Sequence, residues 1–121
     1  DLMKNEQEVF NFIFDYVEQN SFILSCMYDS IGRDELKRFF FQDFIGVVEN
    51  VIRSTEKSMK LVIPGEFRRF LCTLYTEGIA GLLIEMFHSP DLFTKDQLID
   101  YMTTLTHNSI PAMIQAKGRP T

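Results

Sequence analysis

The sequence predicts an all-α fold, a five-helix bundle, and three observations support this prediction. Apolar residues recur at three- and four-residue spacing through most of the chain, which is the period of an amphipathic helix. Proline and glycine positions divide that pattern into separate stretches. The one run that resembles a strand, residues 61–63, has no partner strand elsewhere, so we predict a loop there. With 121 residues, 45% of them hydrophobic, the chain can bury one core, and we predict a single domain over residues 1–121.

The first helix is predicted over residues 4–19, and a second, shorter helix over residues 22–29. The first opens with the charged turn KNEQE, which suits a helix N-terminus. Its apolar stripe consists of Val9, Phe10, Ile13, Phe14 and Val17, widened by Phe12 and Tyr16. Ser21 is the predicted N-cap of the second helix, because a serine side chain can accept a hydrogen bond from a free backbone N–H.

A turn at residues 30–32 leads into the third helix, predicted from Asp34 to about Lys57. Its apolar positions are Leu36, Phe39, Phe40, Phe44, Val47, Val48, Val51 and Ile52. Glu49 and Arg53 lie four residues apart and are expected to pair on the solvent side.

The central helix, predicted over residues 66–88, has apolar residues on two sides. One side carries Phe67, Phe70, Leu71, Leu74, Gly78, Gly81, Leu82 and Glu85, and the other carries Cys72, Tyr75, Ile79, Leu83 and Met86. Two apolar sides indicate two partners, the core of the domain and a second surface. Gly78 and Gly81 lie in the helix interior, where each costs about 1 kcal/mol relative to alanine. They therefore indicate a close approach of another group to the backbone.

The last helix is predicted to begin at Thr94, because Thr94 and Gln97 have the spacing of a capping box. The run Ser89, Pro90 and Asp91 is expected to end the helix before it. Pro111 is expected to end or kink the last helix, which leaves Ile114 and the tail KGRPT only weakly attached to the fold.

The composition argues against nucleic-acid binding by this chain itself, because the net charge is −5 and no basic face is apparent. Catalysis is also not indicated. Glu77 and Glu85, the acids in the middle of the central helix, have no histidine or lysine at matching spacing. His88 and His107 share no metal-ligand motif, and the sequence has neither a phosphate-binding glycine loop nor a nucleophile elbow. No cofactor is implied.

Cys26 and Cys72 both lie in apolar helical patterns and are predicted to be buried free thiols. Free thiols are consistent with a reducing, cytoplasmic location. The sequence shows neither a signal peptide nor an apolar run long enough to span a membrane.

Two features could have a function, and each has a structural alternative. Gly78 and Gly81 either allow tight packing within the monomer or mark a self-association surface. The aromatic cluster of Phe12, Phe39, Phe40, Phe44 and Phe70, with Cys72 and Tyr75, is either plain core or the lining of a pocket between helices.

The order of these elements resembles the C-terminal domains of TetR-family transcriptional regulators. Residues 10–44 resemble that family's pattern of a helix, an asparagine, an aromatic-rich turn and a long helix. Residues 67–105, beginning FRRFLCTLYTEGIAGLLIEMF, look like its last two long helices, with a G-x-x-G-like middle and a Ser-Pro link. The chain is most similar to the branch related to dihydroxyacetone-kinase regulators.

The resemblance implies a regulatory and dimerisation domain whose N-terminal helix-turn-helix is absent from this chain, so that DNA would be bound only through that missing part. It implies a homodimer in which the last two helices of each chain form a four-helix interface. The implied interface residues are Gly78, Gly81, Leu82, Glu85, Met86, Leu98, Tyr101, Met102 and Leu105. A pocket for a small apolar or aromatic effector would be lined by Phe40, Phe44, Cys72 and Tyr75. The alternative is a helical protein–protein interaction module with no small-molecule pocket.

Overall fold

A computed structural model of the chain describes residues 2–88 and 91–121 and confirms the all-α fold. All the predicted helices are present. They are α1 (Leu2–Gln19), α2 (Ser21–Ile31), α3 (Arg33–Met59), α4 (Gly65–His88) and α5 (Lys95–Lys117). The predicted stop at Ser89 and Pro90 lies outside the described residues. The predicted solvent-side pair of Glu49 and Arg53 is present at 3.4 Å.

The helices pack as two antiparallel pairs, α3 with α4 and α1 with α5, which make the most extensive contacts in the molecule. Lys37 pairs with Glu77 and Arg33 with Glu85, so the start of α3 lies beside the end of α4. Lys95, at the start of α5, forms ion pairs with the last turns of α1.

The core lies where these pairs meet and takes residues from every helix. Its largest fully buried side chains are Ile13, Phe14, Leu24, Leu36, Phe40, Ile52, Ile79, Leu83, Ile84, Ile110 and Ile114. Full burial of a side chain of this size contributes about 1.5–3 kcal/mol relative to exposure. Ile114, predicted to be weakly attached, is therefore part of the core.

Single residues join the first three helices. Asn20, rather than the predicted Ser21, occupies the N-cap position of α2. Its side chain makes no cap hydrogen bond, and its Nδ2 donates to the carbonyl oxygen of Tyr16 at 2.8 Å. Gly32 separates α2 from α3 with φ +88°, a conformation in which glycine carries no steric penalty. The predicted three-residue turn at 30–32 is thus wrong, since residues 30 and 31 belong to α2.

The loop predicted at residues 61–63 is also wrong, because Leu61–Val62 forms a short strand, β1. Its partner is β2 (Arg119–Pro120), which pairs with it antiparallel. The prediction failed because the partner lies at the far end of the chain, in a tail that shows no strand pattern. The pairing fixes the C-terminal tail beside the turn between α3 and α4.

The start of α5 confirms the predicted capping box. Thr94 Oγ1 accepts from the backbone N–H of Gln97 at 3.1 Å, and the Gln97 side chain accepts from the N–H of Thr94 at 3.0 Å. Pro111 does not end the helix, since α5 continues through it to Lys117. Burial of Ile110 and Ile114 on either side keeps the chain helical there.

Three predicted core positions are on the surface instead. Phe12 and Phe70 are 59% and 57% exposed, and Cys26 is exposed, whereas Cys72 is buried as predicted. Helical periodicity identifies an apolar face, but it does not say whether that face contacts the core of the same chain.

Candidate functional site

An exposed apolar surface runs along α4 and α5. On α4, Phe70 and Leu74 are more than half exposed, and Gly78 follows one turn later in the same row, also exposed. On α5, Tyr101 and Leu105 are each 51% exposed. We call these residues, Phe70, Leu74, Gly78, Tyr101 and Leu105, the α4–α5 stripe.

The two halves of this stripe are adjacent because α4 and α5 run antiparallel. Near one end, Tyr75 and Ser109 share a hydrogen bond of 2.5 Å between their hydroxyl oxygens. Near the other end, Met86 and Leu98 line the same small cavity. Between these links, Gly78 lies nearer the Tyr75–Ser109 end, about level with Leu105. Both of these linked helices carry exposed apolar side chains.

Gly78 is not explained by packing within the chain. Apart from its chain neighbours and its own helix backbone, a Cβ placed on it would have no heavy atom of the described residues within 4 Å, and a Cβ on Gly81 would reach Lys37 Cε at 4.0 Å. The structural alternative raised for these glycines, a close helix contact inside the monomer, is therefore absent at Gly78. Its bare backbone faces outward.

The residues implied as a dimer interface differ in exposure. Gly78, Tyr101 and Leu105 are exposed, Gly81, Leu82, Glu85 and Met86 are half-buried, and Leu98 and Met102 are buried in the core. Glu85 forms an ion pair with Arg33 at 3.5 Å. Three of these residues are thus fully accessible, four are partly accessible and two are not, and their role as an interface stays a prediction.

The residues implied as a pocket lie on α3 and α4. Phe40 and Phe44 are buried and stacked, with ring centroids 6.3 Å apart. Cys72 is buried, and burial raises the pKa of its thiol. Tyr75 lines a small cavity together with residues of α1, α3 and α5.

A larger cavity of about 250 Å³ opens between α1 and α3. Its lining consists of Asn5, Glu6, Val9, Val47, Asn50, Val51, Ser54 and Thr55. Val9 and Val51 also line the small cavity that reaches Tyr75. The space therefore has an apolar floor continuous with the core and a polar rim, the arrangement typical of a small-molecule site.

Glu6 gives this cavity a buried acid. The residue is 3% exposed, and its Oε2 accepts a hydrogen bond from Thr106 Oγ1 at 3.1 Å. His107 Nδ1 lies 3.8 Å from the same oxygen. Within the described part of the chain, Oε1 has no hydrogen-bond partner, and the same holds for Thr103 Oγ1 and His107 Nδ1. Burial raises the pKa of the Glu6 carboxyl, and its partners Thr106 and His107 offset this only in part.

Glu6 was not predicted from the sequence, because it lies in the charged turn KNEQE, which was interpreted as a helix N-terminus. One signal was available: position 6 precedes Phe10, Ile13 and Val17 in the buried row of α1.

The described residues contain no cluster of three or more histidine, cysteine or acidic side chains that could hold a metal ion. Across the same residues, no helix is long and apolar enough to cross a membrane.

Comparison with known proteins agrees with this fold. Residues 4–108 match the TetR C-terminal family model described as "Transcriptional regulator C-terminal region". No curated protein and no solved structure matches the chain significantly. The match covers all of α1 to α4 except the first residues of α1, together with more than half of α5, and it does not distinguish the dihydroxyacetone-kinase-regulator branch, which stays a prediction. The chain therefore belongs to the TetR-family transcriptional regulators, as a C-terminal region of that family.

Proposed function

We propose that residues 1–121 form a single effector-sensing and dimerisation domain that controls operator binding by an N-terminal helix-turn-helix. The family match supports a regulatory rather than catalytic role. DNA would be bound through the helix-turn-helix alone, because this chain carries a net charge of −5 and phosphate contacts need clustered cations. A regulator of this kind works in the cytoplasm, which is the location we propose.

The α4–α5 stripe is the observation that carries the dimerisation part of this proposal. A row of exposed apolar residues on two adjacent helices is costly in water and is typical of an interface. Pairing of two copies about a two-fold axis would form a four-helix interface. Gly78 would allow the α4 helices to approach closely, which accounts for a glycine in a helix interior.

The α1–α3 cavity supports the effector part of the proposal. Its lining combines an apolar floor with a buried ionisable group, Glu6. An effector there would contact α1 and α3 directly and could change their relative position. The implied pocket residues Phe40, Phe44, Cys72 and Tyr75 lie on α3 and α4, farther along the same bundle.

The dimer is tested by replacing Gly78 with leucine. The new side chain has room within the monomer but would obstruct close approach of a second copy. Overpacking costs about 1–3 kcal/mol, so the dimer dissociation constant should rise by about 5- to 150-fold. Sedimentation velocity across a concentration series measures this change.

Gly46→Leu is the matched control, because Gly46 is also exposed in the middle of a helix and has open space around its Cα. Both substitutions remove an interior helix glycine, so both should preserve helicity by circular dichroism, but only Gly78→Leu should weaken the dimer. An unchanged dissociation constant in Gly78→Leu would remove the stripe from the interface. A chain that stays monomeric at all concentrations would favour the alternative, a protein–protein interaction module, whose surface would include the exposed Phe22 and Ile23 of α2.

A further inference from the structure

We infer that the α1–α3 cavity binds a small organic cation, a protonated amine on an apolar body, with the Glu6 carboxylate as its anchor. This inference rests on the proposed effector role and names the chemical class of the effector.

The charge of the cavity favours a cation. Glu6 is the one ionisable side chain among the described residues that line it. A ligand carboxylate or phosphate would therefore meet a like charge among the lining residues, and the basic group nearest to Glu6, His107, lies outside that lining and already faces Glu6 Oε2 at 3.8 Å. An ammonium group would meet an opposite charge on a side chain that is only 3% exposed, and such pairing is stronger than in bulk water.

The hydrogen-bonding state of Glu6 also favours a donor ligand. Its Oε2 is engaged by Thr106, while Oε1 has no partner within the described chain. A buried acceptor without a donor is costly, and an ammonium group supplies up to three donors.

The remaining lining sets the size and character of the ligand body. Val9, Val47 and Val51 provide the apolar contacts, and Asn5, Asn50 and Ser54 form the polar rim. The volume of about 250 Å³ is just below the range of about 300–1,000 Å³ for drug-sized ligands. The site therefore suits a monoamine with one ring or a short alkyl chain.

Probes of similar size that carry a positive, a neutral or a negative polar group test this inference by titration calorimetry on the 121-residue chain. Benzylamine, benzyl alcohol and benzoate share a ring and differ in the group that would meet Glu6. Benzylamine should bind at least about tenfold more tightly than the alcohol, and benzoate most weakly, because a charge-assisted hydrogen bond is stronger than a neutral one.

Glu6→Gln should weaken benzylamine binding about 10- to 100-fold, towards the value for the alcohol. Glu8→Gln is the matched control, because it removes the same charge from an exposed position of the same helix and should leave the affinity unchanged. Should Glu6→Gln fail to fold, Val47→Phe provides a second variant: it fills the cavity from α3, leaves Glu6 in place, and should abolish binding of every probe.

The inference is overturned if benzoate or the alcohol binds as tightly as the amine, or if Glu6→Gln keeps full affinity. In either case, loss of binding in Val47→Phe would still place an effector in the cavity, and only the cation class would be wrong. If none of the probes binds, the cation site is wrong, while the dimerisation role is still decided by Gly78→Leu.

Discussion

At the scale of single residues, the strongest polar feature is the buried ion pair between Glu56 and Arg68. Arg68 donates from Nε to Oε1 and from Nη2 to Oε2, each at 2.7 Å. The backbone N–H of Ile63 donates to Oε2 at 2.9 Å. Burial opposes ionisation of Glu56, but these hydrogen bonds outweigh it and hold the pKa of the carboxyl below its ordinary value of 4.5. The pair joins α3 to α4 across the turn that carries β1.

Glu56→Gln is expected to lower the free energy of unfolding by about 3–5 kcal/mol, because it leaves the Arg68 guanidinium buried without its counter-charge. The control is Glu49→Gln, which removes an exposed partner of Arg53 and should cost only about 0.3–0.5 kcal/mol. Urea unfolding at pH 7 measures both values. Equal losses in the two variants would contradict the assigned role of the buried pair.

The sign of the pKa shift gives this prediction a pH dependence. Because the folded-state pKa of Glu56 is lowered, its stabilisation is present above the unfolded value near 4.5 and is lost as the pH falls through the folded pKa. The stability difference between wild type and Glu56→Gln should therefore shrink in acid. Glu6, whose pKa is raised, contributes with the opposite sign in both proteins and cancels from the difference.

Neither buried acid was identified from the sequence. Glu6 follows Asn5 in a polar turn, and Glu56 lies in the run STEKSMK, where the apolar pattern fades. Each acid is buried by a partner distant in sequence or across a turn, Thr106 for Glu6 and Arg68 for Glu56. Local pattern carries no information about such partners, so the ionisable part of the candidate site could not be predicted.

At the scale of elements, α5 combines a well-capped start with a proline in its interior. Its capping box at Thr94 followed from local chemistry alone and was predicted. Pro111 was predicted to end or kink the helix, yet α5 continues for six more residues to Lys117. An interior proline is about 3 kcal/mol less favourable than alanine in a helix. Burial of Ile110 and Ile114 in the core outweighs this cost.

Pro111→Ala is therefore expected to raise the free energy of unfolding by about 1–3 kcal/mol, since alanine restores a backbone N–H donor without the clash of the proline ring. Pro64→Ala serves as the control, because Pro64 precedes α4 outside any helix and its removal should give no gain. Thermal and urea unfolding report both changes. A loss of stability in Pro111→Ala would mean that the ring contributes more through packing than it costs in the helix.

At the scale of the whole molecule, the sequence predicted the helices and most of the core but not which apolar faces stay exposed. Phe14 and Phe40 are core, whereas Phe12 and Phe70 lie in the same kind of pattern and face solvent. The distinction depends on how the helix pairs are arranged, which is a long-range property. The sequence nevertheless predicted that the core would not cover every apolar helix face, and the α4–α5 stripe is the clearest instance of such an exposed face.

If two copies pair through this stripe, the stability of the fold depends on protein concentration by mass action. The midpoint of thermal unfolding should rise by about 3 °C for each tenfold increase in concentration, a shift equivalent to about 1.4 kcal/mol per dimer. In Gly78→Leu this slope should flatten over the range in which the variant is monomeric. Differential scanning calorimetry over two decades of concentration measures it, and a wild-type midpoint independent of concentration would argue against the dimer.

The one-residue joints on either side of α2 have a mechanical consequence. This helix is an 11-residue segment, about 16 Å long at 1.5 Å per residue, and is pinned to α1 at Asn20 and to α3 at Gly32. Because a single residue joins it to each neighbouring helix, α2 cannot shift along its axis independently of α1 and α3. A displacement of α1 relative to α3 would be taken up by rotation at the two joints. Rotation of α2 about its own axis would expose Leu24, which is now buried, and would bury Phe22 and Ile23, which are now exposed.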